Sequence, residues 1–81
     1  MGGLLSIEAG QRLIREREKA GKGTNMETRS FGSGWITRIT DPAADPSRHE
    51  FLAEVYCPRD ICMSIDACGR VLLEQCPGSR E

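Results

Sequence analysis

Residues 51–76 read Phe-Leu-Ala-Glu-Val-Tyr-Cys-Pro-Arg-Asp-Ile-Cys-Met-Ser-Ile-Asp-Ala-Cys-Gly-Arg-Val-Leu-Leu-Glu-Gln-Cys and hold all four cysteines of the chain. The stretch alternates. Phe51, Ala53, Val55 and Cys57 fall on one side of an extended segment, with Leu52, Glu54 and Tyr56 on the other. Ile61, Met63, Ile65 and Ala67 then share a face opposite Cys62, Ser64, Asp66 and Cys68. Period-two alternation with polar residues opposite predicts half-buried antiparallel strands. Pro58-Arg59-Asp60 supplies a first turn, and Asp66-Ala67-Cys68-Gly69 a second, with Gly69 in the left-handed position of a type I turn. The expectation is a meander of strands over 50–57, 61–66 and 70–76.

Outward from this stretch, the preceding segment Trp35-Ile36-Thr37-Arg38-Ile39-Thr40 is rich in β-branched residues and reads as a further strand, ended by Asp41-Pro42. Residues 41–47 form a polar loop stiffened by Pro42 and Pro46. The glycine-rich run 21–34 has no sustained apolar period and reads as a flexible connection. Helical spacing occurs over 6–20: Leu5, Ala9 and Leu13 lie four apart, and Ile7 and Ile14 seven apart, which gives a narrow apolar stripe. Ser6 is a suitable N-cap, Glu8 suits the first turn, and Arg15, Arg17 and Lys19 suit the negative end of the dipole. Gly21-Lys22-Gly23 stops the helix, and Gly10 costs it about 1 kcal/mol relative to alanine. The fold class expected is mainly β: a small antiparallel meander of three to four strands with one N-terminal amphipathic helix. The organisation is a helical segment 1–23, a connection 24–34, a β region 35–77 and a polar tail 78–81.

Composition narrows the function classes. At 81 residues the chain is one domain at most, and chains of this size often need a disulfide, a metal or a partner. A formal net charge of −1 gives no general case for nucleic-acid binding. No apolar run approaches the roughly 20 residues of a membrane span. The start lacks the pattern of a secretory leader, so the cysteines are expected to be reduced in the cytoplasm if the chain is complete. Met1-Gly2 with Ser6 fits an N-myristoylation pattern, but five cations against three carboxylates over residues 1–23 make a weak second membrane signal.

The cysteines Cys57, Cys62, Cys68 and Cys76 leave three roles open. As four thiolates they could bind zinc. The meander, however, sets Cys68 at a turn tip, roughly 15–20 Å from the others at about 3.3 Å per residue, too far for one tetrahedral site. They could be small buried hydrophobes. They could form structural disulfides, which need an oxidising compartment and Cα atoms within about 7 Å. The meander sets Cys62 opposite Leu73, so a pairing within the stretch requires an irregular register. His49, the only histidine, falls near Gly69 and Cys68 in this register and reads as an exposed residue at a strand start. A Cys-His pair is raw material for a thiol nucleophile, but no oxyanion hole or pocket is evident, so no enzyme is expected; no cofactor is assigned, and the distance to Cys68 argues against a metal.

Ser33-Gly34-Trp35, Asp45-Pro46-Ser47-Arg48, Glu54-Val55-Tyr56-Cys57 and Cys62 follow in an order that resembles the interleukin-seventeen cytokines, and Asp66-x-x-Gly69-x-Val71 resembles the hairpin that comes next in that family. About half of the chain, residues 33–71, is covered. Gly34 stands for the family's proline and Val55 for its alanine, and the late cysteine pair that closes the family's knot-like core is missing. The resemblance implies a secreted, dimeric ligand of a cell-surface receptor, made from a precursor whose leader this chain lacks. It implies that Cys57 and Cys62 bond to late-strand cysteines, for which Cys68 and Cys76 are the candidates, and that Trp35 is a packing anchor. The alternatives are an intracellular protein-binding or regulatory module with free thiols, and a small zinc-stabilised domain.

Overall fold

A computed structural model describes residues 3–74. In chain order they form β1 (Leu4–Leu5), α1 (Ile7–Lys19), β2 (Asn25–Phe31), β3 (Gly34–Thr40), a 3-10 turn (Pro46–Arg48), β4 (Ala53–Pro58) and α2 (Ile65–Leu73). The strands make one sheet in the order β1-β4-β3-β2, antiparallel except for the short parallel pairing of β1 on β4. This is the largely antiparallel sheet with an N-terminal amphipathic helix that the sequence predicts.

Helix α1 forms where its caps direct. The Ser6 hydroxyl accepts the Ala9 N–H at 3.1 Å. At the other end Gly21, at φ +77°, takes the left-handed position, and the N–H groups of Gly21 and Lys22 donate back to the carbonyls of Glu18 and Arg17. Gly10 has a reason to be glycine that the sequence does not display: a Cβ there would meet Val55 Cγ2 at 2.7 Å and Leu72 Cδ2 at 3.2 Å. The helix crosses the sheet at that point, and Ile14, 2% exposed, packs with Ile39, Val55 and Leu72. The buried Gln11 side chain donates to the Val71 carbonyl at 2.7 Å, tying α1 to α2.

Two expectations are corrected. Residues 25–31 are not a flexible connection but strand β2, paired with β3 through a two-residue turn, Gly32-Ser33, with Gly32 at φ +58°. Glycine first in a two-residue loop is the type II′ pattern that suits the twist of a hairpin. The strand is hidden in the sequence because both of its faces are mostly polar.

The second correction concerns 61–76. Strands are expected over 61–66 and 70–76; within the described residues, to 74, the chain instead leaves β4 through a turn and forms helix α2 over Ile65–Leu73. The Ser64 hydroxyl accepts the Ala67 N–H at 3.3 Å, Asp66 sits in the first turn, and Cys68 and Leu72, four apart, are buried. Gly69 is inside this helix and lacks the positive φ that a turn would give it. With no hairpin at 66–69, the knot-like arrangement of late strands is absent from the described residues. β4 itself follows the alternation, with Ala53, Val55 and Cys57 buried and Glu54, Tyr56 and Pro58 less so.

Candidate thiol centre

β4 carries Cys57 on the core face, at the end of the sheet opposite Trp35. The chain then turns: the Pro58 carbonyl accepts the N–H groups of Ile61 and Cys62 at 3.1 and 2.9 Å. That turn returns Cys62 to Cys57, with which it forms a disulfide across Cα atoms 6.2 Å apart. Closing so short a loop stabilises the fold by about 2 kcal/mol in the chain-entropy view. Three residues on, α2 begins, and its first turn points Cys68 inward. The sulfurs of Cys57, Cys62 and Cys68 all lie within 4.8 Å of one another. The three are 3%, 0% and 1% exposed.

Trp35, itself buried, roofs this cluster. Its Nε1–H donates to the Cys62 carbonyl at 2.9 Å, and the Arg59 guanidinium lies over the ring, 4.3 Å from the centroid. Ile7, Ala67 and Val71 close the sides. Burial pushes the Cys68 thiol up, so at neutral pH it holds its proton and is a poor nucleophile while the fold is closed.

The expectations for the cysteines change accordingly. Cys68 is not an exposed turn tip but a core residue beside the other two, so the distance argument against a shared metal site no longer holds for Cys57, Cys62 and Cys68. The pairing implied by the cytokine resemblance, Cys57 and Cys62 each to a later cysteine, is replaced by a bond between those two. Cys76 lies outside the described residues, as do Met1 and Gly2 of the myristoylation pattern. The signal that could have found the cluster is Ser64 four residues before Cys68, an N-cap that turns Cys68 and Leu72 onto one helix face.

His49 is not near Cys68. It belongs to the 41–52 loop, at the far end of β4, and adopts φ 54°, a left-handed conformation in which histidine is one of the better tolerated side chains. It lines an open cleft of about 520 Å³ with Asp41, Glu50, Phe51 and Leu52. Asp41 at the rim accepts the Ala43 N–H and pairs with Arg17 at 2.8 Å, and these contacts hold its carboxyl below the usual range. Among the described residues no helix is long and apolar enough to cross a membrane. Comparison with protein-family models, curated proteins and solved structures returns no match.

Proposed function

We propose that this chain is a non-enzymatic protein-binding module whose contact segment is held by the three-cysteine centre. The observation that carries the reading is the convergence of the Cys57, Cys62 and Cys68 sulfurs within 4.8 Å. Between and beside these cysteines the chain presents Ile61, Met63 and Ile65, which are 53%, 83% and 46% exposed. Three large apolar side chains displayed on one short segment suit a protein partner. The centre fixes that segment at Cys62 and again at Cys68. Helix α1 is integral to the core, which supports this reading over one in which the helix is an appendage.

The centre has two closed states. In an oxidising compartment the Cys57–Cys62 disulfide closes it. In a reducing one, a dithiol reduces that bond, is itself oxidised to a disulfide, and leaves three adjacent thiols. Three soft donors suit a thiophilic ion such as Zn²⁺, and binding releases the protons of the thiols that ligate it. The zinc-stabilised alternative is thereby absorbed as the reduced state of the same module. The test is to titrate reduced protein with Co²⁺ and Zn²⁺, following thiolate-to-metal absorption and proton release. One equivalent should bind, Cys68→Ala should lose the tight site, and affinity should fall as pH is lowered. Binding unchanged in Cys68→Ala, or no binding at all, overturns the metal state. Binding of an apolar peptide library that is indifferent to Met63→Asp overturns the contact segment.

The second reading is the secreted, receptor-binding ligand that the cytokine resemblance implies, and the disulfide is the observation that favours it. Export of a leader-fused chain with an intact Cys57–Cys62 bond, together with binding to a cell surface, would support it over the module.

A further inference from the structure

We propose that β2 pairs edge to edge with β2 of a second copy, antiparallel, about a two-fold axis through Thr28. β2 is last in the strand order, paired on one side with β3. Its other side bears no strand among the described residues. Seven residues of edge without a proline are a ready template for another strand.

The backbone fixes which groups are on offer. The Glu54 N–H donates to the Gly3 carbonyl at 2.8 Å, away from β3. Arg38 stands opposite Glu54, and Glu27 opposite Arg38. In an antiparallel ladder, bonded and non-bonded pairs alternate. Glu27 therefore directs its N–H and C=O toward β3, and Met26, Thr28 and Ser30 direct theirs outward. The turn agrees, since Phe31 and Gly34 flank a two-residue loop that closes on a bonded pair. A second antiparallel strand must set outward residue against outward residue, and about six interchain hydrogen bonds then form over Met26, Thr28 and Ser30.

Charge selects the register. Centred on Thr28, the pairing uses the whole of β2 and sets Glu27 opposite the copy's Arg29, twice by symmetry. Centred one residue earlier, Glu27 faces its own copy; one residue later, Arg29 does. Opposite charges across a strand pair attract, and like charges directly opposite repel. Charged residues on an edge ordinarily keep it single, but this order of charges makes the edge complementary to itself. All of Asn25, Glu27, Arg29 and Phe31 are exposed. On the other face Met26 meets the copy's Ser30, and Thr28 meets Thr28. The interface is isologous, as closed dimers require, and it does not involve the cysteine centre.

The experiment is sedimentation equilibrium over a range of concentrations on the full chain, with circular dichroism to confirm folding. Wild type should dimerise. Glu27→Arg and Arg29→Glu should each weaken self-association by about tenfold or more, because both Glu–Arg pairs become like-charge pairs. Mixing the two variants should restore a dimer, since every facing pair is then opposite in sign. The double exchange Glu27→Arg with Arg29→Glu should dimerise alone, and it carries the test should either single variant fail to fold. A monomeric wild type, a dimer indifferent to both single changes, or a mixture and double exchange that stay monomeric would each overturn the proposal.

Discussion

Gly10 and Gly69 are both helical glycines, and their surroundings predict opposite responses to the same substitution. A Cβ at Gly10 meets Val55 within 2.7 Å, whereas one at Gly69 meets nothing within 4 Å. Gly10→Ala gains about 1 kcal/mol of helix propensity but overpacks the crossing by about 1–3 kcal/mol, so it should be destabilising on balance. Gly69→Ala should raise stability by about 0.5–1 kcal/mol. Urea melts of the two variants check both. The Gly69 result also separates helix α2 from the turn that the sequence predicts, where alanine at a left-handed position would be strained. Asp41 gives a pH prediction at the same scale. Its carboxyl is held low first by the Ala43 N–H and then by Arg17. A lowered acid contributes stability above its ordinary range and loses it as pH falls through the lowered value. Wild type should thus lose stability below about pH 4 more steeply than Asp41→Asn, as thermal melts across pH would show. Neither the neighbours of Gly10 nor the Arg17 partner of Asp41 is legible in sequence, because both come from elements far away along the chain.

Helix α1 was legible because its caps and its apolar stripe agree. The Ser6 cap, the basic last turn and the glycine stop all act where the residues predict. β4 was legible for the same reason, with alternation bounded by turn residues. β2 was not, since its alternation is polar on both faces and only the Gly32-Ser33 pair gives a hairpin signal. The sequence of α2 hides its helix because Ile61, Met63, Ile65 and Ala67 mimic a strand. Two of them precede the helix, and the Ser64 cap resets the period. At the element scale the test is how α1 is attached. Ile14 is 2% exposed and touches both sheet and α2, while its neighbour Leu13 is only partly buried. Ile14→Ala should cost about 2–5 kcal/mol and Leu13→Ala clearly less. Equal and small losses in denaturant melts would mean that α1 is an appendage.

At the scale of the molecule, one face of the sheet carries α1, α2 and, among the described residues, two apolar clusters. One cluster is aliphatic around Ile14, Ile39, Val55 and Leu72; the other gathers Trp35 and three cysteines. A short chain whose aliphatic cluster is this small gains from a covalent staple, and the second cluster holds the Cys57–Cys62 disulfide. That arrangement was invisible in the spacing of the cysteines, because the distance between Cys68 and the others depends on whether 61–73 is a hairpin or a turn and a helix. The adjacency of Cys68 to Cys57 is therefore the claim on which both the fold of the last third and the proposed function rest. Its most direct measurement is oxidation of folded Cys62→Ala, followed by peptide mapping of the bonds formed. With Cys62 gone, the Cys57 and Cys68 sulfurs are within 4.8 Å and should join to each other. A Cys57–Cys68 bridge as the main product is the predicted result; Cys68 left free and rapidly alkylated while Cys57 stays unpaired would contradict it.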